Sequence, residues 1–196
     1  MKVLLLSRYG RLGASSRVRS LQYLPYMEQN NICVDVSPLF SDEYVSALYL
    51  GRSRWRLIFS GYWKRIKILF KARSYDLIWI EKEVFPYLPA FAERIFRMMG
   101  IVYAVDYDDA VFHNYDRHRY WFVRAFLGGK IDVVMRSSSL VIAGNDYLAM
   151  RARSAGANSV EIIPTVVDVE RYEPQAKNHT SELVVGWIGS PSTQHY

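Results

Sequence analysis

The 196-residue chain contains a single cysteine, Cys33, and no apolar stretch that approaches a membrane span. One cysteine excludes an internal disulfide and fits a reducing compartment. The longest apolar runs fall far short of the roughly 20 residues needed to cross a bilayer. No small-residue cleavage site follows the strand-like run after Lys2, so no secretory signal is expected. Internal repeats and low-complexity segments are lacking as well. These absences exclude a disulfide scaffold and an integral membrane protein, and the chain reads as cytoplasmic. What is present suits a folded core: 51% hydrophobic and 22% charged residues, in a length that fits one domain.

Acidic residues are scarce in one region only. Residues 1–73 hold 13 Lys/Arg against four Asp/Glu, a net +9, whereas the remainder holds 12 against 15, a net −3, so the overall +6 belongs to the first third. Such asymmetry implies a positively charged face, for which nucleic acid, anionic lipid or a phosphorylated ligand are the usual partners. The stretch from Tyr49 to Arg73 has no acid and interleaves cations with aromatics. An interfacial helix needs that mixture, and Arg54, Trp55, Arg56, Trp63, Lys64 and Arg65 are the expected contacts with a peripheral anionic membrane surface. Two other readings stay open. Ile58, Tyr62, Ile66 and Leu69 could face a sheet beneath a solvated basic surface, and the mixture also suits a nonenzymatic module that binds single-stranded nucleic acid.

Short, nearly continuous apolar runs at residues 3–6, 32–36, 76–80, 101–105, 140–143 and 160–163 read as strands buried on both faces of a parallel sheet. Helical spacing between them predicts helices over 15–29, 43–50, 54–72, 87–99, 117–136 and 146–155. The alternation predicts an α/β fold with a doubly wound parallel sheet. Ser15 or Ser16 and Asp146 are the expected caps of two helices, Gly100 the expected end of another, and Pro25 a predicted kink. A polar stretch, 173–182, reads as a linker. Residues 183–196 then open a new strand and turn without a following helix, so 1–172 is expected to be the first domain of a two-domain protein.

Two loops carry candidate chemistry. Gly10-Arg-Leu-Gly13-Ala-Ser-Ser-Arg17-Val-Arg19 follows the first strand and feeds a helix, a place where backbone N–H groups can cradle phosphate, although the dinucleotide and P-loop patterns are both absent. Asp106-Tyr-Asp108-Asp109, with His113 beyond, follows the fourth run, where α/β sheets bind their ligands. Carboxylates so close together need a cation or donor nearby if all are to ionise. Cys33 is expected to be an inert thiol inside an apolar strand, and the histidines lack zinc spacing.

In combination, the first-loop segment, Leu140-Val-Ile-Ala-Gly-Asn-Asp-Tyr-Leu148, Val160-Glu-Ile-Ile-Pro-Thr-Val-Val-Asp168 and Val184-Val-Gly-Trp-Ile-Gly-Ser190 resemble the GT-B fold glycosyltransferases of family 4. The resemblance implies two Rossmann-like domains facing a cleft, with this chain the acceptor-side N-terminal domain of a retaining enzyme. It implies a sugar nucleotide as donor substrate, no other cofactor, no metal at Asp106-Tyr-Asp108, and a lipid-linked or polysaccharide acceptor at the inner face of the cell membrane, with no nucleic acid partner. Its matching positions make Asp109 and His113 the catalytic candidates and Gly13 and Asp108 substrate-binding ones, and Arg17 of the first loop is expected to add a charge-assisted substrate contact. Most of the donor site would lie outside this chain, so the fragment is expected to be inactive alone.

Overall fold

The computed structural model describes residues 1–169. The expected linker at 173–182 and the expected strand opening at 183–196 lie outside the described residues.

The six apolar runs form β1 (Lys2–Leu6), β2 (Cys33–Val36), β3 (Leu77–Glu81), β4 (Tyr103–Tyr107), β5 (Leu140–Ala143) and β6 (Val160–Ile162), joined in one sheet of order β2-β1-β3-β4-β5-β6. Every pairing is parallel. The expected Rossmann-like, doubly wound α/β sheet is therefore the observed fold. Strand order reverses at β1: the chain first steps outward to β2, then returns to build β3 on the other side. The crevice beyond the carboxyl ends of β1 and β3 is the place where open α/β sheets receive ligands.

Helices α1 (Ala14–Arg19) and α2 (Leu24–Gln29) connect β1 to β2, and α3 (Asp42–Tyr49) and α4 (Trp55–Leu69) lead back to β3. The remaining connections are α5 (Phe91–Met98), then α6 (His113–Asp116), α7 (Trp121–Leu127) and α8 (Lys130–Ser137), then α9 (Asp146–Ser154). Strand alternation assigns each residue a face. Leu4, Leu6, Ile78, Ile80, Val105 and Val141 join Phe96, Ile131, Val134 and Leu148 in the main core. Val3, Leu5 and Trp79 form a much smaller cluster with Leu21 and Met27 on the opposite face. That second face is thinly covered, and Trp79, Ala104, Leu140 and Ile142 line a cavity of about 450 Å³ there.

Several expected boundaries move for local reasons. The helix expected over 15–29 breaks at Ser20, whose hydroxyl donates back to the Ser16 carbonyl at 2.9 Å. Pro25 then falls in the first turn of α2, where a missing N–H breaks no helical bond, and no kink arises. Gly13, not Ser15 or Ser16, holds the N-cap position of α1. Asn145, not Asp146, caps α9 by accepting from Leu148 N at 3.0 Å. The helix expected over 117–136 divides between α7 and α8 at Gly128 and Gly129. Gly100 does end α5, with φ +67°. The second strand, expected to be buried, lies at the sheet edge, and its Cys33 is exposed.

One correction concerns the basic helix. α4 approaches the rest of the fold so closely at Gly61 that a Cβ there would fall 2.2 Å from the Leu39 carbonyl oxygen. One turn later Arg65 points inward and is only 1% exposed. Its Nη2 donates to the Ser7 and Ser37 carbonyls at 2.7 and 2.9 Å, tying α4 to the chain just beyond β1 and β2. Burial pulls the guanidinium down to about 9, with Glu81 acting in the opposite direction, and it stays cationic at neutral pH. Arg65 is thus an internal strut and not a membrane contact. Trp55, Arg56, Trp63 and Lys64 are exposed, and Arg54 is half-buried.

Candidate active site

The reversal of strand order collects charged side chains from β3, β4, α1 and the loop after β1. Glu81, the last residue of β3, accepts from Ser16 Oγ at 2.6 Å and from Arg8 N at 2.9 Å, and Ser15 Oγ stands 3.4 Å away. On the neighbouring strand, Asp106 forms a buried ion pair with Arg19 of α1, whose Nη1 also reaches the Ile163 carbonyl at 2.6 Å. Asp106 belongs to β4 itself and not to the loop after it. Burial pushes its carboxyl up to about 6, against the downward pull of Arg19. A raised acid lends stability that is complete below the ordinary carboxylate range and is lost as pH rises through the folded value. Relative to Asp106→Asn, the wild type is expected to lose about 3 kcal/mol of stability between about pH 4 and about pH 7. Urea denaturation of both proteins across that range checks it, and parallel curves would refute it.

Lys82 follows β3 with a left-handed backbone, φ +68°, and places its Nζ 3.0 Å from Asp108 Oδ1 and 3.0 Å from Asp109 Oδ2. Burial disfavours the Asp108 carboxylate, but Lys82 and a hydrogen bond from Ser15 Oγ outweigh it and hold the group below its usual range. Burial likewise works against the Lys82 ammonium, yet the two carboxylates raise it. Asp109 keeps 71% of its side chain exposed, so it is the carboxylate that this arrangement offers to an incoming molecule. Beneath it, Glu83 accepts a bifurcated bond from the Tyr115 hydroxyl at 2.8 Å, lies 3.4 Å from Arg8 Nη1 and pairs with buried Lys130.

The structure brings Asp108 and Asp109 together through Lys82 and leaves the other expected residues apart. His113 is not hydrogen-bonded to Asp109: its Nδ1 meets Asp116 at 2.9 Å and its Nε2 meets the Tyr147 hydroxyl at 2.7 Å. Gly13 is no phosphate cradle, because its N–H already donates to the Gly10 carbonyl at 3.1 Å. Glycine is required there for packing, since a Cβ would fall 2.2 Å from Tyr9 Cβ. Arg17 points to solvent and reaches only the Arg11 carbonyl at 3.3 Å, whereas Arg19, two residues on, enters the site. Asp106 and Asp108 diverge, one toward Arg19 and the other toward Lys82. Among the described residues no group of three or more His, Cys, Asp or Glu side chains is placed to hold a metal ion.

No protein-family model matches the chain, and no curated protein matches it. Among solved structures, the chain is similar to Glycyrrhiza uralensis UGT73P12 complexed with glycyrrhetinic acid 3-O-monoglucuronide, at a TM-score of 0.41 and 11% identity. That match covers 81% of this chain and spans 41% of the other.

Chemically, each cation inside the cluster is matched by a carboxylate: Arg8 and Lys130 by Glu83, Arg19 by Asp106, and Lys82 by Asp108 and Asp109. The outward element is a carboxylate edge held by an ammonium. It suits a hydroxyl, which donates to it, better than a phosphate, which would be repelled. The charged run Glu81-Lys82-Glu83 is absent from the sequence expectation, in which the strand ends at Ile80. The discoverable signal was three consecutive charges placed directly after a buried apolar run.

Proposed function

We propose that the crevice receives an acceptor hydroxyl in glycosyl transfer from a sugar nucleotide, with Asp109 taking the hydroxyl proton as Lys82 fixes its carboxylate. The observation that carries this reading is the Lys82-bridged pair of Asp108 and Asp109 at the reversal of strand order. In a retaining transfer, negative charge grows on the departing diphosphate while the acceptor oxygen needs a proton acceptor. The described residues supply the second requirement. The first is assigned to a second Rossmann-like domain beyond them, so residues 1–169 are proposed to be inactive alone. The acceptor is lipid-linked or a surface polysaccharide, and the protein works peripherally at the inner face of the cell membrane. Support for a membrane-borne acceptor comes from the exposed basic and aromatic residues of α4. His113, tethered by Asp116 and Tyr147, is given a secondary role beside the acceptor.

The test is turnover of a panel of sugar nucleotides by the full-length protein, followed as hydrolysis or as transfer to lipid extracts. Asp109→Asn is expected to lower turnover about 100-fold with the fold intact by circular dichroism, and His113→Ala about tenfold. Unchanged turnover in both variants would remove this crevice from the reaction.

A further inference from the structure

Resting on the membrane-surface reading of α4 under the proposed function and extending it to a second helix, we infer that α4 and α7 together form one docking face for an anionic lipid bilayer. Trp55, Phe59, Trp63, Ile66 and Phe70 recur at helical spacing and fall within an arc of about 80° at 100° per residue. All five are exposed, Phe59 to 71% and Phe70 to 86%. The inward side of the same helix is already occupied: Gly61 lies against Leu39, Tyr62 stacks on Phe85, and Arg65 is buried. The stripe is therefore a second apolar face, pointing away from the core. Cations flank it. Arg56 lies over the Trp55 ring at 5.2 Å, Lys67 over the Trp63 ring at 5.4 Å, and no acid occurs between Glu43 and Asp76.

α7 repeats the chemistry on a shorter scale. Trp121, Phe122 and Phe126 are exposed, the last to 80%, beside exposed Arg117, Arg119 and Arg124, with no acid from 117 to 131. A continuous set of contacts links the two helices. The Tyr62 hydroxyl of α4 donates to the Pro86 carbonyl at 2.7 Å, Tyr87 N donates to the Tyr115 hydroxyl at 3.1 Å, and α6, which holds Tyr115, packs on α7. The bridging loop leaves the carboxyl end of β3 and exposes Tyr87 and Leu88. Apolar rings with flanking cations match the two layers of an anionic membrane surface, where rings enter the acyl boundary and cations meet head groups. A single nucleic acid strand is favoured less. It needs a basic groove that tracks its backbone, whereas the stripe on α4 is a convex helix surface whose cations lie to one side of it.

The test is co-sedimentation of the whole protein with phosphatidylcholine vesicles, with and without phosphatidylglycerol, beside a gel shift with single-stranded RNA. Partitioning is expected to strengthen at least about tenfold when phosphatidylglycerol is present. Phe59→Glu with Trp63→Glu, and separately Trp121→Glu with Phe126→Glu, are each expected to weaken it about tenfold. Circular dichroism should stay unchanged, since the replaced side chains are exposed. A normal affinity in the α7 variant would overturn the two-helix face, and RNA binding without vesicle binding would overturn the lipid assignment altogether. Neither readout requires turnover, so docking and glycosyl transfer can fail independently.

Discussion

Arg65→Met is expected to lower the stability of the protein by about 2–4 kcal/mol, while Lys64→Met, one residue earlier, leaves it essentially unchanged. The Arg65 guanidinium makes two short bonds to the Ser7 and Ser37 carbonyls in a site closed to water. Bonds to a charged donor are each worth about 1.5–3 kcal/mol; their loss takes the donor from the Ser37 carbonyl, while the Ser7 carbonyl keeps the bond from Leu39 N at 2.9 Å. Methionine restores most of the volume, so the deficit reports the polar contacts more than a cavity. Urea denaturation midpoints measure it. A change below about 1 kcal/mol would show that the carbonyls find other partners and that α4 is held mainly by the close approach at Gly61.

Lys82→Met is expected to reduce turnover about 1,000-fold, more than loss of Asp109 itself. Without the ammonium, nothing bridges Asp108 and Asp109, and the exposed carboxylate proposed to meet the acceptor loses its fixed position. The variant also carries a stability signature. A carboxyl held low in the folded state contributes stability above its ordinary range and loses it as pH falls through the folded value. In the wild type Asp108 makes that contribution because Lys82 and Ser15 outweigh its burial. In Lys82→Met the acid limb of the stability curve should flatten. Lys82→Gly separates backbone from side chain: it relieves the left-handed conformation, yet should lose turnover as fully as methionine does. Turnover within threefold of wild type in the methionine variant would exclude Lys82 from the chemistry.

The sheet was legible because strands buried on both faces must be continuously apolar, and four of the six runs lie inside it; β2 and β6, the two edge strands, show how little a short, mainly apolar run says about its neighbours. Asp108 and Asp109 were legible for a related reason, since carboxylates directly after a buried strand have few other places to go. Arg65 was not. In a stretch of eight cations, nothing in the residue itself separates the one that turns inward, and only the backbone contact at Gly61 decides it. The breaks at Ser20 and at Gly128 were hidden by apolar spacing that continues across them. Reading 117–136 as one helix also masked the exposed aromatics of α7. Gly13 misled because a glycine that allows close packing and one that frees a backbone N–H look alike in sequence.

The left-handed backbone at Lys82 has one further consequence. An ordinary strand sends successive side chains up and down in turn, so three neighbours could serve only two directions. Here Glu81 reaches α1, Lys82 reaches the loop after β4, and Glu83 reaches α6 and α8. Three adjacent residues thus act as a junction box in which separate parts of the fold are wired to a single point of the chain. A shift of the carboxyl end of β3 would be felt at once by α1, by the loop that presents Asp109, and by Tyr115 and Lys130 beneath.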